Sequence, residues 1–148
     1  MSKRRLTLTA AMAAALVAAP LAMQADEPRQ LITVVTAAEP QSQLAAMVLS
    51  TQAVAQGASL HMLLCGSAGD IALADAPESV TAPQPPRDMS PQGLMANLIE
   101  QGATVEVCAI YLPGIGADAE ALMDGVGVAD PAAMAAAMLA EGVTVWSF

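Results

Sequence analysis

The sequence predicts an α/β domain with a mainly parallel sheet of about four to five strands flanked by helices. Short apolar segments rich in β-branched residues alternate with segments of helical periodicity, which is the pattern of successive βαβ units. Of the 148 residues, 55% are hydrophobic and only 13% are charged, as in a chain that folds around one core. The aromatic residues are Tyr111, Trp146 and Phe148, so aliphatic and Met side chains must supply most of the core volume.

Four segments have the apolar, β-branched character of strands buried in a parallel sheet. They are residues 31–36, 58–64, 104–108 and 143–148. Helical spacing of apolar residues, N-cap residues and terminal glycines predict three helices between them. These helices are residues 40–56, 90–101 and 130–141. We predict a long Pro-rich surface loop at residues 74–89, a Gly-bearing turn at 112–116 and a short helical stretch at 118–123.

The N-terminus has the layout of a secretory signal peptide. A basic stretch at residues 3–5 precedes an apolar run at residues 6–19, and small residues follow. The run is shorter than the roughly 18–20 residues that span a bilayer, and the competing interpretations are a short anchor or a buried helix. We predict cleavage after Ala25, with Ala22 as the alternative. The mature domain is then residues 26–148, located in the periplasm or secreted.

The charge balance excludes nucleic acid as a partner. Five Lys and Arg residues stand against 14 Asp and Glu residues, a net charge of −9. Without residues 1–25 only Arg29 and Arg87 remain as cations, and the net charge falls to about −12. Such a surface repels phosphate backbones and anionic membranes, and it attracts cations or basic partners.

Cys65 and Cys108 each stand at the end of a predicted strand. Ligands of open parallel sheets bind beyond the carboxyl ends of the strands, so we expect both thiols at the functional rim. Backbone N–H groups at the turn after Cys108 would stabilise its thiolate, and the alternative interpretation of Cys108 is a small buried apolar residue. Cys65 before Gly66 is also explained by a tight turn. If a strand lay between the two, their Cα atoms would be about 10 Å apart, so a disulfide is not favoured.

The other reactive residues do not form a recognisable site. Along a strand, His61 lies about 13 Å from Cys65, too far to share a metal ion, and we interpret it as a core or surface residue. The glycine pairs at 114–116 and 125–127 lack the remaining glycines and the Lys of nucleotide sites. No Ser-His-Asp arrangement and no pair of acid–base carboxylates can be assembled. We therefore predict neither a metal nor a cofactor.

Residues 88–148 carry a resemblance to a known family. Five features follow one another in a characteristic order: a helix at 89–102, the strand Val105–Cys108 ending in a cysteine, a loop at Gly114, the segment Leu122–Val126 and a final strand at 144–148. In this order they resemble the DsrE/DsrF-like (TusD-like) sulfur-relay family. Residues 31–73 fit the N-terminal half of that family more loosely.

The resemblance implies a compact three-layer α/β domain that assembles into trimers or hexamers. It also implies that Cys108 carries sulfur as a persulfide and passes it to the thiol of a partner protein. Pro113 stands where family members often have Arg, so a cation that would lower the thiol pKa is missing. The alternative function is a non-catalytic oligomeric module that binds a ligand or cation. A third is a thiol–disulfide switch between Cys65 and Cys108.

Overall fold

A single sheet of five parallel strands forms the centre of the protein in the computed structural model, which describes residues 28–148. The strands are β1 (Gln30–Val35), β2 (Ser59–Leu64), β3 (Thr104–Val107), β4 (Val126–Val128) and β5 (Thr144–Ser147). They lie in the order β4-β3-β2-β1-β5. The predicted α/β class, parallel sheet and number of strands are confirmed. The predicted signal peptide lies outside the described residues.

Five α-helices connect these strands. They are α1 (Pro40–Ala55), α2 (Glu78–Thr81), α3 (Pro91–Glu100), α4 (Tyr111–Ile115) and α5 (Pro131–Met138), with 3₁₀ segments at Gly66–Ala72 and Ala119–Ala121. The three longer helices match the predicted ones. The predicted loop at 74–89 contains the one-turn helix α2, the predicted turn at 112–116 falls mostly within α4, and the predicted helical stretch at 118–123 is only a 3₁₀ turn.

Local signals in the sequence determine where α3 and α5 begin. The Ser90 hydroxyl accepts a hydrogen bond from the Gly93 amide at 3.1 Å, and the Asp130 carboxylate accepts one from the Ala133 amide at 2.7 Å. Each cap satisfies an amide that the first turn of the helix leaves unpaired, and each is followed by a proline with a helical φ. The capping interpretation is therefore confirmed at both helices.

The two faces of the sheet are covered unequally. Helices α1 and α3 cover the first face and form the main core, whose largest fully buried side chains are Met47, Met62, Leu64, Ile71, Met95 and Leu98. The second face carries a small cluster in which Met134 of α5 packs near Ile32, Leu63 and Ala129. The structure thus has three layers, with the second face covered by one short helix.

The path of the chain accounts for this arrangement. From β1 to β4 the chain moves steadily across the sheet, and its connections pack on the first face. It then returns across the whole sheet to β5 through α5, and a right-handed crossover in this opposite direction must use the second face. Among residues 28–148, no helix is both long and apolar enough to cross a lipid bilayer.

Candidate functional site

Cys65 and Cys108 lie side by side at the carboxyl edge of the sheet. The parallel register pairs Leu64 with Val107, so the residues that follow them stand opposite each other. Their Cα atoms are 5.1 Å apart and their side chains form a disulfide, a separation within the usual range of about 4.4–6.8 Å. The expectation that a disulfide is not favoured is therefore wrong: it assumed an intervening strand, whereas β2 and β3 are direct neighbours.

A crevice is expected beside Cys108 because the connections that follow β3 and β4 pack on opposite faces of the sheet. The segment after β3 packs on the first face through Tyr111 and Leu112, whereas the segment after β4 continues into α5 on the second face. In open α/β sheets this divergence marks the ligand-binding position. Both cysteines are half-buried and pack against the small cluster of the second face. As expected, both cysteines lie at the carboxyl ends of strands. Cys108 lies next to the point between β3 and β4 where the connections diverge.

Tyr111 joins the two loops that carry the cysteines. Its hydroxyl donates a hydrogen bond to Asp70 Oδ1 at 2.7 Å, and its ring lies against Gly69, where a Cβ atom would overlap it. Burial, and then the Asp70 carboxylate, raise the pKa of Tyr111 well above its ordinary value. The Gln92 side-chain amide also donates to the carbonyls of Ile71 and Leu73, at 3.0 and 2.8 Å.

These contacts fix the 3₁₀ segment after Cys65 against α4 and α3. Asp70, Tyr111 and Gln92 were missed in the sequence because the three lie far apart along the chain and no spacing connects them. The available signal was their position, since Asp70 and Tyr111 each come within five residues of a cysteine.

His61 forms a cross-strand pair with Glu106 on the same sheet face as the cysteines. The Nε2 atom of His61 lies 2.7 Å from Glu106 Oε2, and the two side chains are 29% and 24% exposed. His61 is therefore a half-buried residue paired with a carboxylate, and Glu106 as its partner was not predicted. Within residues 28–148, no group of three or more His, Cys, Asp or Glu side chains is arranged to hold a metal ion.

The two arginines of the described residues lie elsewhere. Arg29 lines a groove of about 810 Å³ that also includes Leu49, Gln52 and Trp146, whereas Arg87 lines one of about 620 Å³ between α1 and the Pro-rich segment. Neither cysteine lines either groove. Neither groove therefore brings an arginine to Cys108, and the backbone amides of the turn after it are the other source of positive potential for its thiolate.

Comparisons with solved structures identify the type of fold. No protein-family model matches the chain, and no curated protein matches it by sequence. Among solved structures, the YchN protein from E. coli aligns with a TM-score of 0.65 at 19% identity, and MTH1491, a protein of unknown function from Methanobacterium thermoautotrophicum, aligns with a TM-score of 0.61 at 16% identity. Each alignment covers 82% of this chain and 100% of the other. The chain accordingly has the DsrE-like α/β fold.

Proposed function

We propose that this protein handles sulfane sulfur, with Cys108 carrying a persulfide that it passes to the thiol of a partner protein. The observation that supports this most directly is the position of Cys108, at the carboxyl end of β3 on a DsrE-like fold, beside the point where the connections diverge. The family resemblance around residues 105–108 points to the same residue.

The proposed transfer has two displacement steps and begins with both cysteines reduced. The Cys108 thiolate attacks the outer sulfur of a donor persulfide, forming a new S–S bond and releasing the donor thiolate. An acceptor thiolate then attacks the outer sulfur of the Cys108 persulfide and regenerates the Cys108 thiolate. No net oxidation occurs, because the sulfane sulfur keeps its oxidation state throughout.

The setting of this chemistry is part of the proposal. We propose that the mature protein is exported, on the basis of residues 1–25, and that it acts as a trimer or hexamer. The exposed apolar side chains of Ile110, Leu139 and Val145 support self-association. The excess of acidic residues favours a donor or acceptor protein with a basic docking surface.

Mass spectrometry of the reduced protein tests the proposal. After reduction, desalting and incubation with polysulfide, we expect one added sulfur atom, about 32 Da. Trypsin cleaves between the cysteines after Arg87, so the peptides 30–87 and 88–148 each contain one cysteine. The added sulfur should lie on peptide 88–148, persist in Cys65→Ser and disappear in Cys108→Ser. Its absence from both the reduced wild-type protein and Cys65→Ser would refute the carrier role.

The second candidate is a non-catalytic oligomeric module that holds a ligand or cation. The observation that favours it is the disulfide, since a Cys108 bonded to Cys65 has no free thiol. For this candidate, the reduced protein would accept no sulfur from polysulfide. Cys108→Ser would also keep the assembly state of the wild-type protein, as measured by sedimentation.

A further inference from the structure

The disulfide at the sheet edge is itself a group that can accept sulfur. Cys65 and Cys108 are the two cysteines of the sequence, and they are joined across neighbouring strands. Both residues are half-buried, so the bond is partly exposed to a nucleophile from solvent. An oxidised Cys108 cannot attack a sulfane donor, so this form of the protein needs a different loading reaction.

We propose that hydrosulfide loads the oxidised protein directly, with Cys65 as the leaving group. This inference rests on the proposed function, because it uses Cys108 as the sulfur carrier. It adds inorganic sulfide as the substrate class and Cys65 as a second reacting residue. The disulfide then stores the oxidising equivalents that convert sulfide into sulfane sulfur.

The loading step balances without an external oxidant, because the disulfide is itself the oxidant. Hydrosulfide attacks Sγ of Cys108, a bond forms between these two sulfur atoms, and the Cys65–Cys108 bond breaks. Its electron pair leaves with Cys65 as a thiolate, which is protonated by solvent. The incoming sulfide loses two electrons and the disulfide gains them. After Cys108 passes its sulfur to an acceptor thiol, thiol–disulfide exchange with a disulfide-bearing protein oxidant restores the starting bond.

The topology favours attack at Cys108 over attack at Cys65. A nucleophile approaches a disulfide in line with the bond that breaks. Because the bond runs from the end of β2 to the end of β3, attack at Cys108 comes from the side of β4, where the connections diverge. Attack at Cys65 would come from the side of β1. A backbone hydrogen bond continues the sheet on each side, from the Cys65 amide to the Val35 carbonyl and from the Ala129 amide to the Val107 carbonyl. The two directions of attack therefore differ in the connections, which pack on opposite sheet faces only beside β4.

The experiment compares oxidised and reduced protein under anaerobic conditions. Each is incubated with sodium sulfide, alkylated and digested with trypsin. In the oxidised protein we expect a persulfide on peptide 88–148 and a simple alkylated thiol on peptide 30–87. The reduced protein is the matched control, because it has the same sequence but no disulfide, and its persulfide signal should be at least about tenfold lower.

The possible results separate this inference from the proposed function. If the oxidised protein gains no sulfur from sulfide while Cys65→Ser still accepts it from polysulfide, the inference is wrong and the carrier role stands. A persulfide found on peptide 30–87 would also overturn the inference, because Cys65 would then be the residue attacked. If neither sulfide nor polysulfide adds sulfur to either form, both proposals fail.

Discussion

Gly69 determines how closely the loop after Cys65 can approach α4. A Cβ atom at this buried position would overlap the Tyr111 ring. We expect Gly69→Ala to lower the free energy of unfolding of the oxidised protein by about 1–3 kcal/mol, because the ring must move and its hydrogen bond to Asp70 is strained or lost. Urea denaturation measures this change.

Gly114→Ala is the matched control for this substitution. Gly114 lies within α4, its φ is not positive, and its added Cβ would have no neighbour within 4 Å. Its stability should be unchanged or rise by about 0.4–1 kcal/mol, because alanine restricts the unfolded chain. Equal effects of the two substitutions would show that the Gly69–Tyr111 contact does not matter.

Tyr111 is the single tyrosine of the sequence, so its ionisation can be measured directly. Burial, and then Asp70, raise its pKa above the ordinary value of about 10. The near-ultraviolet absorbance of tyrosinate should therefore appear at a distinctly higher pH in the native protein than in denaturant. A native titration near pH 10 would contradict the buried hydrogen bond.

The same shift predicts a loss of stability in alkali. The unfolded chain loses the Tyr111 proton first as the pH rises, because the folded state favours the neutral phenol. The stabilising contribution is therefore complete below about pH 10 and decreases as the pH rises towards the pKa of the folded state. Tyr111→Phe should be less stable at neutral pH by about 1 kcal/mol and show a weaker decline above pH 10.

At the level of elements, local signals in the sequence were sufficient to predict where helices begin, but they did not predict the order of the strands in the sheet. The caps at Ser90 and Asp130 act within three residues, and so they were readable in the sequence. By contrast, β4 has only three residues, too few to show a strand pattern. The adjacency of β2 and β3 depends on how the whole chain winds, which the spacing of apolar residues does not encode. For that reason both cysteines were located on the rim but were not paired.

The disulfide joins the ends of β2 and β3 and closes a large loop. With 43 residues of sequence separation, loss of chain entropy in the unfolded state corresponds to about 4 kcal/mol. Reduction should lower the free energy of unfolding by up to about this amount, as measured by denaturation with and without a dithiol reductant. A Cys65→Ser/Cys108→Ser double variant should match the reduced protein. Equal stability of the oxidised and reduced forms would contradict this expectation.

At the level of the whole molecule, the net charge opposes self-association, whereas one partly covered apolar face favours it. The described residues carry many acidic side chains and only Arg29 and Arg87 as cations. Such a charge opposes self-association unless apolar contact outweighs it. The second sheet face offers such contact, because α5 covers it only in part and Val145 of β5 is 43% exposed. Assembly into a trimer or hexamer would bury this face and the neighbouring Leu139, which is 87% exposed.

Substitution of Val145 tests whether this face is an interface between copies of the chain. Sedimentation should give three or six times the chain mass for the wild-type protein, and Val145→Glu should shift it towards the monomer, because a carboxylate would be buried against apolar groups. Val48→Glu is the matched control, since Val48 is 40% exposed but lies on α1, over the opposite face. A monomeric wild-type protein would contradict assembly, and equal behaviour of the two variants would place the interface elsewhere.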